Sequence, residues 1–194
     1  MTTLDPQTLE TTRQGFKYLN RLMLLQWRLG LGPWLSLWPE ALGQYLVITH
    51  TGRKTGLRRR TPVNFAEVDG ELYVTAGFGP ISDWYRNIKA DPRVEIWTPK
   101  GWWAAWADEV PDEDPRWLAL MREVLRGSGF AGRVFGFDVQ TMSDAELKAA
   151  TRDYRLIHLR KEQPRTGPDG PGDLVWVWPV LVLFLLRRAF RRRR

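Results

Sequence analysis

The stretch that decides the fold is QYLVITHTGRKTGLRRRTPVNFAEV, residues 44–68. Its two ends are rich in β-branched side chains, and Gly52 and Gly56 lie between them. The pattern therefore predicts two strands, 44–50 and 58–68, joined by a tight turn. Five cations lie at or just after this turn: Arg53, Lys54, Arg58, Arg59 and Arg60. Such a concentration of positive charge raises the question of which anion it holds.

The rest of the chain continues this pattern with further strands and intervening helices. Asp69-Gly70 predicts a hairpin turn. Further strands are predicted at 71–77, 93–98, 102–110 and 154–160. Helices are predicted at 7–31, at 111–126 and after Ser143, with a short one that Ser82 or Asp83 caps and Asp91-Pro92 ends. A glycine-broken segment occupies 127–137. This order predicts an α+β fold: a small barrel of mainly antiparallel strands, with helices inserted and an N-terminal helix.

The charge distribution argues against nucleic acid as a partner. The net charge is +7, but six arginines lie in the last eight residues. Without them, 23 of the 29 basic residues remain against 22 acidic ones. A nucleic-acid groove would spread its cations over the folded surface. We therefore expect the cations at 53–60 to hold a small anionic ligand.

Residue types exclude several kinds of chemistry. The chain has no cysteine, hence no disulfide and no thiol nucleophile, and its two histidines predict no metal site. Both His50 and His158 lie in strand patterns, which favours structural roles. The N-terminus, MTTLDPQTLE, is not typical of a secretory signal, so the expected location is the cytoplasm. If the protein is an enzyme, a bound cofactor supplies the reactive group.

The turn at 52–56 is ambiguous when taken alone. It lacks the spacing of a P-loop, and such turns often carry only solvated charges. Its backbone amides and the Arg53-Lys54 pair nevertheless suit phosphate oxygens. Along the next strand, alternation places Arg59 on the same face as Thr61, opposite Arg58 and Arg60.

A second feature is the loop TAGFGP, residues 75–80, followed by the helix that starts near Ser82. Glycines in the loop would let a flat ring approach the backbone, and the helix start offers free amide donors. Trp84 and Asn87 share one helix face, although with 11 tryptophans in the chain a core role for Trp84 is the ordinary alternative.

Three segments together resemble a known family: LVITHTGRKTGLRRRTPVNF, DGELYVTAGFG and DWYRNIKADPRVEI. They are similar to the deazaflavin (coenzyme F420)-dependent nitroreductase and quinone reductase family, over about residues 40–160. The resemblance implies a split β-barrel of the FMN-binding-like type. It also implies that the anion is the phosphate and glutamate tail of the cofactor.

The resemblance further implies a set of contact residues. Arg53, Lys54 and Arg59 would hold the anionic tail. In a hydride transfer to an acceptor, we expect solvent or a nearby hydroxyl such as Tyr85 to supply the proton. The full predicted cofactor-binding set is Arg53, Lys54, Thr55, Arg59, Arg60, Thr61, Pro62, Val63, Asn64, Thr75, Ala76, Gly77, Phe78, Asp83, Trp84, Tyr85, Arg86 and Asn87.

The implied activity is hydride transfer from reduced coenzyme F420 to an electron-poor acceptor, such as a quinone or a nitro compound. Two alternatives stay open: an FMN-dependent oxidoreductase, and a carrier of the same fold that binds a cofactor or a fatty acid without catalysis. Asn64 stands where the family has a tyrosine, which leaves the particular substrate open. An oligomer is possible.

The C-terminus predicts attachment to the inner face of the cell membrane. Residues 174–186 are uninterrupted apolar sequence, followed by the arginines. Thirteen residues reach only about 20 Å as a helix, against a hydrocarbon layer of about 30 Å. We therefore predict a peripheral anchor on anionic lipid, and the alternative is that the apolar run docks on the barrel or forms an oligomer contact. The first predicted segment, 1–40, is helical, and its helix either packs on the core or contacts the membrane. The others are 41–162, the cofactor-binding barrel; 163–173, a Pro/Gly linker; and 174–194, the membrane-surface tail.

Overall fold

The computed structural model describes residues 6–35, 43–128, 139 and 141–191. The chain divides into two compact units, one of residues 33–166 and one that joins 1–32 with 167–194. Most of the predicted glycine-broken segment and the last three arginines lie outside the described residues, as do the two ends of the predicted segment 1–40.

The larger unit is a closed barrel of six strands in the order β1-β2-β3-β6-β5-β4. The strands are β1 Tyr45–Thr51, β2 Arg58–Val68, β3 Glu71–Ala76, β4 Arg93–Thr98, β5 Gly101–Val110 and β6 Arg155–Pro164. All six neighbouring pairs are antiparallel. The prediction of an α+β protein built on a small split β-barrel is confirmed.

Among the described residues, six helices accompany the strands. They are α1 Pro6–Arg28, α2 Gly32–Leu35, α3 Asp83–Ala90, α4 Trp117–Arg126, α5 Asp144–Ala150 and α6 Val177–Arg191, with a short 3-10 turn at Gly79–Ile81. Ser143 caps α5 by accepting from the Glu146 amide at 3.3 Å. The helix predicted at 111–126 begins only at Trp117, because successive tight turns occupy the residues before it.

The hairpin between β2 and β3 has the predicted turn. Asp69 and Gly70 both have positive φ, 53° and 83°, the backbone of a two-residue turn that follows the twist of the strands. The antiparallel pairing of β1 with β2 places His50 opposite Arg59 and Thr51 opposite Arg58. This register brings the polar ends of both strands together beside the 52–57 turn.

Two hydrophobic cores hold the barrel unit. The first fills the barrel with alternate residues of every strand, among them Leu46, Ile48, Val74, Ile96 and Leu159. The second joins the outer side of β2, β3 and β6 to the apolar faces of α4 and α5 and includes Trp117, Met121, Val124, Leu147 and Leu156. The barrel is therefore filled by side chains, and polar residues are left for its rim and outer faces.

The smaller unit joins α1 to the C-terminal segment. Arg28 makes a two-pronged ion pair with Asp173, with Nε at 3.0 Å and Nη2 at 2.9 Å from the carboxylate. The Leu174 amide donates to the Arg28 carbonyl at 2.8 Å, and the Trp178 indole donates to the Leu29 carbonyl at 2.9 Å. These bonds connect the two chain ends.

The boundaries differ from those predicted. Strand β6 continues to Pro164, two residues into the predicted linker 163–173, and the far end of that linker is bonded to α1 through Gly172 and Asp173. Among the described residues, none of the helices has the length and apolar character needed to cross a membrane.

Candidate functional site

The turn between β1 and β2 uses most of its own amides. The amides of Gly52, Arg53, Thr55, Gly56 and Leu57 all donate to acceptors inside the protein. Gly56 has φ +67°, and a Cβ on Gly52 would lie 2.9 Å from Thr55 Oγ1, so both positions favour glycine. The expectation that this turn offers its amides to phosphate is therefore overturned for these five.

Arg53 ties the turn to helix α3. Its backbone amide and its Nη1 both donate to Asn87 Oδ1, at 3.1 and 2.9 Å. Its guanidinium also contacts Asp83 Oδ1 through Nη1 and Nη2, each at 3.1 Å. Arg53, Asp83 and Asn87, all predicted site residues, do meet here. The Arg53 guanidinium is held by its own chain.

The arginines at 58 and 60 lie on the face opposite Arg59, as alternation along the strand predicts. Arg58 pairs with Glu95 on β4. The Arg60 guanidinium lies 4.7 Å above the centre of the Trp97 ring, a cation–π arrangement. Arg59 and Arg60 were both predicted to contact the ligand. They lie on opposite faces of the sheet, so one small ligand does not contact both.

Lys54 and Arg59 remain available to an anion. Both side chains are exposed. In the part of the chain that the structure describes, neither contacts a carboxylate or any other acceptor. The Nε of Arg59 lies beside Gly52, 3.1 Å from where a Cβ would stand, so the guanidinium lies along the turn. These two cations form the anion-attracting part of the site.

A buried polar chain connects the turn, helix α3 and β2. Asn87 Nδ2 lies 3.2 Å from His50 Nδ1, and His50 Nε2 lies 3.1 Å from Thr61 Oγ1. His50 and Asn87 are each 3% exposed. Burial and the positive charge of Arg59 lower the pKa of His50 to about 4, so its imidazole is neutral at physiological pH.

The candidate proton donor Tyr85 is engaged elsewhere. It is buried, and its hydroxyl donates to Glu109 Oε2 at 2.8 Å, while Lys89 Nζ donates to the same oxygen at 2.9 Å. Burial, reinforced by Glu109, raises the pKa of Tyr85 to about 12. Burial acts to raise the pKa of Glu109, but the bonds from Lys89 and Tyr85 outweigh it and the pKa lies below its ordinary value. The proton-donor role stays a prediction, and these contacts favour a structural one.

The loop that follows β3 is shaped by its own chain. A Cβ on Gly79 would lie 2.0 Å from the Asp153 carbonyl, so this glycine permits a backbone contact within the protein. Gly77 is exposed, and a Cβ there would lie 3.5 Å from the Tyr154 ring, an ordinary van der Waals contact. Arg86 Nε donates to the Pro80 carbonyl at 2.7 Å, which fixes the loop to helix α3.

The remaining predicted residues fall into three groups. Val63 and Ala76 belong to the barrel core, against which Trp84 packs half-buried, and Pro62 is also buried. Asn64 Nδ2 donates to the Gln44 and Gly127 carbonyls, at 3.3 and 3.5 Å. Accessible side chains remain at Thr55, Thr61, Thr75 and Phe78.

Two site residues escaped prediction. His50 faces Thr61 because both lie on the inward side of adjacent strands, a relation that the strand alternation and hairpin register could have revealed. Glu109 lies on β5, 24 residues from Tyr85, and the local sequence pattern contains no signal for that contact.

Several solved structures align with part of this chain. The haem storage protein HutZ from Vibrio cholerae aligns over 61% of this chain and 82% of its own, at 15% identity and TM-score 0.43. An F420-H2 dependent reductase aligns over 60% and 93%, at 22% identity and TM-score 0.39. An FAD-binding protein from Mesorhizobium loti aligns over 62% and 83%, at 18% identity and TM-score 0.37.

The family model described as F420H(2)-dependent quinone reductase matches residues 37–134, just over half of the chain. The match covers the 52–57 turn, all of helix α3 and strands β1 to β5, and the resemblance noted in the sequence is confirmed. The chain belongs to the F420H(2)-dependent quinone reductase family and is an oxidoreductase whose cofactor is coenzyme F420.

Proposed function

We propose that this protein reduces a quinone with reduced coenzyme F420, holding the anionic end of the cofactor at Lys54 and Arg59. The observation that carries the proposal is the exposure of these two cations beside an ordered turn, with no acidic partner in the described chain. Buried or paired arginines would already be neutralised. Two free cations instead fit the phosphate and glutamate groups of the cofactor tail.

The other proposed contacts are the accessible side chains Thr55, Thr61, Thr75 and Phe78. The bonds of Arg53 to Asp83 and Asn87 support the arrangement, because they hold the cationic turn on helix α3 before any ligand arrives. A site that is ordered in advance loses less entropy on binding.

When bound, the reduced cofactor supplies a hydride. A quinone that accepts this hydride and one proton leaves as the hydroquinone, and a nitro compound is the second acceptor class. The role of the protein is to place donor and acceptor in contact and to exclude competing reactions. The hydroxyl of Tyr85 is held by Glu109, so we infer that the proton comes from solvent.

We also propose that the enzyme works at an anionic membrane surface. Helix α6 has no buried residue, and large apolar side chains are exposed along its whole length. Examples are Leu183, 67% exposed, and Phe184, 60% exposed. The helix ends in arginines that suit anionic headgroups. Fifteen residues span about 22 Å, which fits a helix lying in the interface better than one crossing it.

The test uses the purified full-length protein. We expect reduced coenzyme F420 to bind and a short-chain quinone to oxidise it in an enzyme-dependent reaction. The absorbance change that reports this oxidation should be lost in the Lys54→Ala/Arg59→Ala variant. If FMN binds and supports quinone turnover while the deazaflavin does not bind, the cofactor is FMN and this part of the proposal is wrong. Deazaflavin binding without turnover of any quinone or nitro compound would make the protein a carrier.

A further inference from the structure

The hydrogen-bond chain around His50 has a defined direction. Two N–H groups of Arg53 point at one atom of the Asn87 side chain, at 3.1 and 2.9 Å. An atom that accepts twice must be the amide oxygen, which leaves the NH2 group facing His50. That group donates to His50 Nδ1 at 3.2 Å, so Nδ1 carries no hydrogen.

A neutral imidazole with a bare Nδ1 has its hydrogen on Nε2. The Nε2–H therefore donates to Thr61 Oγ1, 3.1 Å away. Since the Thr61 oxygen accepts this bond, its own hydrogen is left to donate elsewhere. Among the described residues, none accepts that hydrogen.

We propose that His50 is a positioning residue that fixes Thr61 as a hydrogen-bond donor toward the bound cofactor. The ligand atom at this place is then an acceptor, such as a carbonyl or phosphate oxygen. The inference rests on the function proposed above, in that the ligand is the deazaflavin cofactor. It goes further by assigning the direction of one contact, and it gives the buried histidine a role in recognition.

Several features keep this direction from reversing. Arg53 is fixed to Asp83 as well as to Asn87, so the amide oxygen of Asn87 stays turned toward the turn. His50 is almost fully buried, and Arg59 on the facing strand opposes a second ring hydrogen. A buried donor that lost its acceptor would cost free energy, so each bond of the chain constrains the next.

The tautomer is measured directly by long-range 15N–1H NMR of the imidazoles in the full-length protein without cofactor. The chain has only two histidines, so His158→Gln assigns the signals. We expect His50 to be the neutral Nε2–H form. The Thr51 backbone also hydrogen-bonds the His50 ring and is the competing acceptor for a ring hydrogen. A neutral Nδ1–H form, or an imidazolium at neutral pH, would overturn the proposal.

The Asn87→Asp variant reverses the chain. A carboxylate at this position accepts from Nδ1–H, so Nε2 becomes an acceptor of the Thr61 hydrogen. We expect the NMR signature to switch to Nδ1–H in this variant. A His50 that keeps its Nε2–H form after Asn87→Asp would show that Asn87 does not set the tautomer.

Cofactor titration then connects the tautomer to recognition. Thr61→Val removes the donor and Asn87→Asp redirects it, so each should weaken binding of the reduced deazaflavin about tenfold. The double variant Thr61→Val/Asn87→Asp should bind the cofactor no more weakly than the single variant that has the lower affinity. Thr61→Ser keeps the hydroxyl and should bind like wild type. Additive losses, or unchanged binding by Thr61→Val, would overturn the proposal. Failure of the wild-type protein to bind the deazaflavin would instead refute the proposed function, whatever the NMR result.

Discussion

Arg53 and Asp83 join the cationic turn to the first residue of helix α3, with Nη1 and Nη2 each 3.1 Å from one carboxylate oxygen. The two partners are unequal: the Arg53 side chain is 22% exposed and that of Asp83 is 75% exposed. An exposed acid contributes little to an ion pair, because water competes for it. The stronger attachment of Arg53 is therefore its pair of bonds to the buried Asn87.

We expect Arg53→Ala and Asp83→Ala to differ clearly. Arg53→Ala leaves the buried Asn87 oxygen without its side-chain donor and should lower the free energy of unfolding by about 1–3 kcal/mol. Asp83→Ala should cost at most about 1 kcal/mol. Urea unfolding measures both. Equal losses would show that the exposed ion pair, and not Asn87, holds the turn.

Adjacent arginines provide a matched comparison for cofactor binding. Arg59→Ala removes a cation proposed to meet the cofactor tail and should weaken binding of reduced deazaflavin about tenfold or more, with a reduced dependence on salt. Arg58→Ala removes the same charge from the opposite face, where Glu95 already pairs with it, and should change binding little. Calorimetric titration at two ionic strengths measures this. The assignment of Arg59 fails if both variants lose affinity equally.

Tyr85→Phe tests the candidate proton donor. We expect turnover with quinone to stay within about twofold of wild type, while the lost bond to Glu109 lowers the free energy of unfolding by about 1 kcal/mol. The pKa of Tyr85 is raised to about 12 in the folded protein, so its contribution is complete below pH 10 and is lost as pH rises through 12. A large fall in turnover at unchanged stability would restore the proton-donor role.

The buried His50 predicts a stability change in mild acid. Its pKa is about 4 in the folded protein against 6.5 ordinarily, so between these values the unfolded chain binds the extra proton. Stability should therefore decrease as pH falls from 6.5 to 4, by up to about 3 kcal/mol from this group. Urea unfolding across this range should show a shallower decrease for His50→Gln than for wild type. An equal decrease in His50→Gln and wild type would show that this histidine does not set the slope.

Membrane docking predicts an effect of two residues of α6. Full-length protein should sediment with anionic vesicles and less with neutral ones, and Leu183→Asp/Phe184→Asp should reduce this binding strongly. Ile81→Asp, at an exposed apolar position of the barrel unit, is the control and should sediment normally. If wild-type protein stays in the supernatant, the proposal of membrane docking is wrong. Self-association that the paired substitution abolishes would assign the surface to a second copy of the chain.

Local sequence patterns predicted many of the strands and turns of the fold. Strands 58–68 and 93–98 have the predicted bounds, and the Asp69-Gly70 hairpin has the predicted backbone, because alternation and turn chemistry act within a few residues. The helix predicted at 111–126 started too early because its apolar spacing does not show the tight turns that hold residues before Trp117. The sequence also places Arg59 and Thr61 on one face, opposite Arg58 and Arg60.

What each cation does was decided by contacts distant in sequence. The same local charge occurs at Arg53, Arg58 and Arg59, yet Asp83 and Asn87 hold the first, Glu95 pairs with the second and the third is exposed. Likewise, the link between Arg28 and Asp173 joins residues 145 apart in the chain. The sequence by itself determined the strands, the turn and its charge, since these depend on neighbouring residues. The tertiary structure decided which charges are already neutralised, because that depends on which strands and helices the closed barrel brings within hydrogen-bond reach.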